Sequence, residues 1–225
     1  METTGWNVYY KTDDKDGTLT TTQMCYEPLV SPDGNIFCMN FCYPCDYQLN
    51  QNRIGYSKEF VDFAFNREVE FLTKFIDFEW APEILKIENN KIFFNWYGNT
   101  CNDVVFRRGT LKNYPTWREQ LRKIILDQIR LGVYKATVYP HSHYFDDEGR
   151  MHAFDFYASA DILNPYIDFE DAKCLISNKK RFIEASEEGL INVETLFKSG
   201  LLEWSQWPGN LSDLHKEIFH DNHRN

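Results

Sequence analysis

Residues 133–160 read VYKATVYPHSHYFDDEGRMHAFDFYASA, and the second half of that stretch is a strand, a turn and a strand. Tyr144 and Phe145 lead into Asp146-Asp147-Glu148-Gly149, carboxylates early and glycine last, and the apolar run Met151 to Phe156 follows. That order predicts a β-hairpin. Asp155 falls near the end of the second strand between Phe154 and Phe156, where the neighbours favour burial. An unpartnered buried carboxylate is expensive, so a cation, a metal or a set of hydrogen-bond donors must answer it. His141, His143, Asp146, Asp147 and His152 surround it in sequence. His141 and His143 alternate along an extended segment, so with Asp155 they could form a two-histidine, one-carboxylate metal site. His141 could equally act as a base near neutral pH, and either histidine could simply donate to backbone in a tight loop. Asp146 and Asp147 read better as turn formers, and His152 as an exposed side chain.

With those residues in view, the hairpin followed by Asp155-Phe156-Tyr157 resembles the end of the catalytic loop and the metal-binding Asp-Phe-Gly of protein-kinase-like phosphotransferases. Tyr139-Pro140-His141-Ser142 is similar to the Lys-Pro-x-Asn part of that loop. The resemblance implies an α+β, two-lobed kinase-like fold, with an N-terminal antiparallel β-rich lobe over 1–98 and a mainly helical C-terminal lobe over 99–225. It implies ATP and Mg²⁺ as ligands, with Asp155 and Ser142 on the metal, and His141, His143 and Asp155 as the groups nearest any chemistry. The departures are specific: Thr137 stands where the family has its catalytic aspartate, Ser142 replaces the metal-binding asparagine, and Tyr157 replaces the glycine. The expected protein is therefore a pseudokinase that works through a protein partner, or an atypical ATP-dependent phosphotransferase.

Upstream, Tyr114-Pro115-Thr116-Trp117 opens a helix whose face carries Leu121, Ile124, Ile125, Gln128 and Ile129, and Gly132 ends it. Two short strands precede it, Glu83 to Ile87 and Lys91 to Trp96, joined by Glu88-Asn89-Asn90. This unit resembles the kinase strands running into the hinge, so Asn95, Trp96 and Tyr97 mark where a nucleotide base would sit. Residues 58–78 place Phe60, Phe63, Ala64, Val69, Leu72, Phe75 and Ile76 at helical spacing, with Ser57 as N-cap. Glu68 matches the family's helix glutamate that orders the phosphate site. The other reading is a solvated carboxylate, because the strand lysine that should meet it is missing from residues 36–43 and no G-x-G-x-x-G occurs.

The first forty-seven residues read as turn-punctuated strands, with Ser31-Pro32-Asp33-Gly34 as the strongest turn. Cys38, Cys42 and Cys45 form C-x3-C-x2-C, which resembles the iron–sulfur motif of radical S-adenosylmethionine enzymes. The alternative function is thus a cysteine-ligated metal or iron–sulfur enzyme, although three buried small hydrophobes in an aromatic-rich strand explain the spacing better. A third is a binding module with no nucleotide. Beyond Ala160 the pattern is mostly helical, over 169–176, 180–188, 192–198 and 211–220.

Acidic residues outnumber basic ones, 34 to 24 in 225, giving a net charge of −10, so the field repels nucleic acid and anionic lipid. No apolar run is long enough for a membrane span and the N-terminus has no signal-peptide core, so a cytoplasmic protein with reduced thiols is expected.

Overall fold

The computed structural model describes residues 1–9, 26–42, 58–98, 100–101, 111–135, 138, 140–157, 159–161, 207–208, 211 and 213–214. Lys11, Cys25, Cys45, Ser57, Asn99, Thr137, Tyr139, Cys174 and the expected helices after residue 168, apart from a few positions near 211–214, lie outside these residues. Strands β1 (Asn7–Val8), β2 (Glu27–Val30), β3 (Ile36–Asn40), β4 (Ile84–Glu88) and β5 (Lys91–Asn95) form one antiparallel sheet in the order β1-β2-β3-β5-β4. Helix α1 (Lys58–Phe75) lies in sequence between β3 and β4, and α2 (Trp117–Arg130) follows the sheet.

Local chemistry explains both hairpins. Between β2 and β3, Gly34 adopts φ +80° and its N–H meets the Ser31 carbonyl at 2.9 Å, while the Ser31 hydroxyl accepts from Ile36 N–H at 3.0 Å. Between β4 and β5, Asn89 and Asn90 both take positive φ (49° and 57°), the conformation that asparagine tolerates and a two-residue hairpin needs. The register then sets Phe37 opposite Phe94 and Met39 opposite Ile92, on the face that joins the main core. Cys38 lies between Leu29 and Phe93 on the other face, in a small separate cluster. Alternation along each strand thus sends neighbouring residues to opposite sides.

α1 is the expected helix, but its buried stripe is rotated from the expected one. Val61, Ala64, Glu68, Phe71, Leu72 and Phe75 are buried, whereas Ile76 is 59% exposed. The turn after α1 is tied to α2 by a charged hub: Asp127, buried, accepts from the Trp80 indole (3.1 Å), Lys123 (2.8 Å) and Arg130 (3.0 Å). α2 ends where Gly132 turns to φ +73°.

Three short antiparallel pairings complete the described chain: β6 (Val133–Lys135) with β9 (Ser159–Asp161), β7 (His143–Phe145) with β8 (Met151–Ala153), and the Thr100–Tyr144 bridge. The β7–β8 hairpin is the expected one, shorter by a few residues. One continuous apolar cluster runs from Phe37 and Phe94 of the sheet through Trp96 and Phe154 to Trp207 and Leu214. The described chain is therefore α+β, an antiparallel sheet with few helices. Among the described residues no helix is long and apolar enough to cross a membrane.

Candidate functional site

β8 ends at Ala153, three residues earlier than the apolar run to Phe156 predicts, and Asp155 stands two residues beyond it in a loop. It adopts φ +73°, a conformation in which aspartate is several-fold over-represented relative to most residues. No such backbone is required at Tyr157, which is absent from the positive-φ residues. The site therefore does not need glycine at that position: the left-handed step is taken at Asp155 instead.

Glu68 explains how this loop is held. The side chain is fully buried in α1, and its carboxylate accepts the backbone N–H groups of Asp155 (3.0 Å), Phe156 and Tyr157 (2.6 Å). The solvated-carboxylate reading fails here. A segment that leaves a strand and turns has no ladder to receive its N–H groups, and the acid supplies the acceptors. Arg67, the preceding residue, works on the same segment from the other side: Nε donates to the Tyr157 carbonyl (3.2 Å) and Nη2 to that of Ser159.

Asp155 is 6% exposed. Its Oδ2 accepts from the Ser142 hydroxyl at 3.1 Å, and the Ser142 carbonyl receives Phe154 N–H at 3.0 Å. His141 and Ser142 belong to a buried 3-10 turn, Pro140–Ser142, directly before β7. His143 is on β7, on the face opposite Tyr144, with its ring 5.5 Å from that of Trp207.

Among the described residues, no three His, Cys, Asp or Glu side chains gather as a metal cluster, so the two-histidine, one-carboxylate arrangement of His141, His143 and Asp155 is not formed. The reason is geometric: His143 is turned to Trp207, while Asp155 is held by α1.

A single magnesium ion asks for less, since it is commonly held by one or two carboxylates plus substrate phosphates. Ligands at about 2.1 Å in cis octahedral positions stand about 3 Å apart. The Ser142 Oγ and Asp155 Oδ2 atoms, 3.1 Å apart, match that spacing. Both are hard oxygen donors of the type Mg²⁺ takes, and here they are joined by the hydroxyl proton.

At the end of β5 the groups are differently committed. Asn95 N–H donates to the Glu83 carbonyl (3.1 Å) and Trp96 N–H to that of Asn35 (2.8 Å). The Trp96 ring is buried against Phe37 (4.8 Å), Tyr9 (5.3 Å) and Tyr144 (5.2 Å). Tyr97 is partly exposed and stacks on Tyr144 at 6.1 Å. Its hydroxyl is shifted up by burial and, secondarily, by the carboxylates of Glu83, Asp146 and Asp147. A base at this strand end would meet ring faces and carbonyls rather than the N–H groups of Asn95 and Trp96.

Asp146 behaves as a turn former at the hairpin. It accepts Glu148 N–H (2.9 Å), Arg150 N–H (2.8 Å) and Arg150 Nε (2.7 Å), and lies 3.2 Å from His152 Nε2. Burial alone would raise its pKa, but these donors outweigh it and lower it. His152, expected exposed, is buried, with Nδ1 donating to the Ala81 carbonyl at 3.0 Å.

Cys38 and Cys42 lie against different clusters, which sets them on a strand and its exit as small hydrophobes. Burial pushes the Cys38 thiol up to about 12. Cys38 should resist iodoacetamide at pH 8 in the native protein and react only on unfolding, because the thiolate is the nucleophile. Mass spectrometry of labelled peptides checks this; native labelling of Cys38 at the rate of a free thiol would refute its burial.

No protein-family profile matches the sequence. No curated protein matches it either. Among solved structures, the chain is similar to the crystal structure of monomeric WbdD, with a TM-score of 0.51 and 14% identity over 95% of this chain and 48% of that one. A structure of the bifunctional kinase-methyltransferase WbdD gives a TM-score of 0.50 and 12% identity, over 96% of this chain and 50% of that one. The chain spans about half the length of these proteins. At such identities the likeness is one of fold, and it is consistent with the kinase-like fold expected from the sequence.

Proposed function

We propose that the chain is a nucleotide-binding pseudokinase, in which Asp155 and Ser142 hold Mg²⁺ against the phosphates of ATP and phosphoryl transfer is lost or very slow. The observation that carries this reading is the buried Asp155 carboxylate, fixed by Glu68 and sharing a hydrogen bond with Ser142 at the spacing of two magnesium ligands. Bound Mg²⁺ would neutralise phosphate charge. The chain's own residues would hold it: Glu68 fixes the loop that carries Asp155, and Ser142, whose hydroxyl donates to Asp155, would offer its oxygen to the ion.

The loss of transfer follows from position 137. Threonine is not a base at neutral pH, whereas the family's aspartate accepts the acceptor's proton there. His141 is the remaining candidate base and makes the atypical phosphotransferase the variant form of this reading. His143 is assigned to the core, on its contact with Trp207. The protein's work would then lie in a nucleotide-dependent interaction with a protein partner in the cytoplasm. A second reading, a binding module without nucleotide, is favoured by the committed N–H groups of Asn95 and Trp96.

Thermal melting with ATP, with and without Mg²⁺, separates these readings. A ligand at a hundredfold excess over its Kd stabilises by about 2.7 kcal/mol. For a chain this size that is a rise of roughly 5–10 °C. The wild type should show a Mg²⁺-dependent rise, and Asp155→Ala should lose the Mg²⁺-dependent part. No rise in the wild type, or the same rise in Asp155→Ala, removes the metal–nucleotide role. Phosphate release above the no-enzyme rate, lost in His141→Ala, would favour the active variant.

A further inference from the structure

Consecutive residues of α1 grip the loop that carries Asp155, and they do so from both ends of its polar backbone. Glu68 takes the N–H groups of residues 155–157. Arg67 gives to the carbonyls of Tyr157 and Ser159. Residue Tyr157 is thus engaged at both its N–H and its C=O by one turn of one helix, and its ring adds an edge contact with Tyr26 at 6.3 Å. Glutamate accepts only and arginine donates only, so the pair is complementary to a backbone running past it.

The guanidinium is itself fixed. It lies over the Phe63 ring at 5.5 Å and the Phe71 ring at 5.2 Å, both on α1. These contacts restrict the side chain before it meets the loop. Ser159 also opens β9, which pairs with β6 directly after α2. Arg67 therefore links α1, the metal loop and the β6–β9 pair.

We propose that Arg67 is a positioning residue for the metal carboxylate: by fixing the carbonyls of Tyr157 and Ser159 to α1 it sets where Asp155 stands relative to Ser142. This rests on the reading that Asp155 holds a metal. Arg67 acts through the backbone of the loop, whose carbonyls at Tyr157 and Ser159 it holds. Lysine would not replace it, because one ammonium cannot span the two carbonyls that the planar fork reaches.

The test uses Mn²⁺ as a paramagnetic probe with ATP, and reads free Mn²⁺ by its spin resonance signal. The variants are Arg67→Met, which keeps the aliphatic stem over Phe63 and Phe71, and Arg67→Lys. ATP affinity is measured separately in EDTA. Residues that orient a metal ligand typically change affinity by about tenfold or more. The expected result is a rise of about tenfold in the Mn²⁺ Kd for Arg67→Met, an intermediate value for Arg67→Lys, and unchanged ATP affinity in EDTA for both. A merely structural arginine would weaken ATP in EDTA and Mn²⁺ alike, and that outcome overturns the proposal.

Wild-type Mn²⁺ affinity in Arg67→Met also overturns it while leaving Asp155 as the metal ligand. Should Arg67→Met fail to fold, wild-type affinity in Arg67→Lys overturns it equally. A wild type that binds no Mn²⁺ with ATP overturns the metal site itself, and the role of Arg67 with it.

Discussion

Glu68→Ala should lower the melting temperature by roughly 6–12 °C, the shift that about 3 kcal/mol produces in a chain of this size. The substitution removes the acceptor of three backbone N–H groups at once. A buried donor left without a partner costs about 1–3 kcal/mol, and partial entry of water reduces the sum. Glu68→Gln keeps one acceptor oxygen and turns an amide N–H₂ toward donors, so its loss should fall between wild type and alanine. Differential scanning calorimetry on the three proteins reads the order directly. A change of under about 2 °C for Glu68→Ala would mean that the loop does not depend on this acid. Hydrogen exchange at Phe156 and Tyr157 should accelerate in parallel, since their N–H groups are the ones released.

The second large effect concerns the ring next to Asp155. Phe154→Ala should cost about 3–5 kcal/mol, the usual range for emptying a buried phenylalanine site. Phe154 is fully buried and meets Phe94 at 5.5 Å, Phe37 at 5.6 Å and Tyr144 at 6.0 Å. With Tyr144, which meets Phe94 and Trp96, it joins the sheet and the β7–β8 hairpin in one core. Urea unfolding with the slope held free measures the loss. A cost below about 1 kcal/mol would show that these rings collapse onto one another without it. The double variant with Glu68→Ala should lose less than the sum, because both residues hold the same three-residue loop and neighbours in one network couple.

Much of the fold was legible. The Ser31–Gly34 and Asn89-Asn90 turns, both helices and the β7–β8 hairpin depend on local chemistry: side-chain oxygens near backbone N–H groups, residues that accept positive φ, and apolar spacing of three and four. The order of these elements also carried the likeness to kinases, which the structural comparison supports at the level of fold. The iron–sulfur reading was weaker because a cysteine spacing says nothing about which side of a strand each thiol faces. Cys38 and Cys42 turn to different clusters, a consequence of pairing that spacing does not encode.

Glu68 marks the limit most clearly. Its position, four residues from both Ala64 and Leu72 and three from Phe71, put it on the stripe that is buried, and that signal was in the sequence. The solvated reading competes with it because the strand lysine that a kinase-like glutamate should meet is missing from residues 36–43. The sequence by itself determined where strands, helices and turns occur and that Asp155 sits among residues that seek burial. Only the tertiary structure decided what answers Asp155 and who holds it. Backbone N–H and C=O groups are present at every position and leave no trace in residue identity. That Glu68 and Arg67 close on residues 155–157 and 159, about ninety positions away, is fixed by long-range packing of α1 against the loop and by nothing local to either.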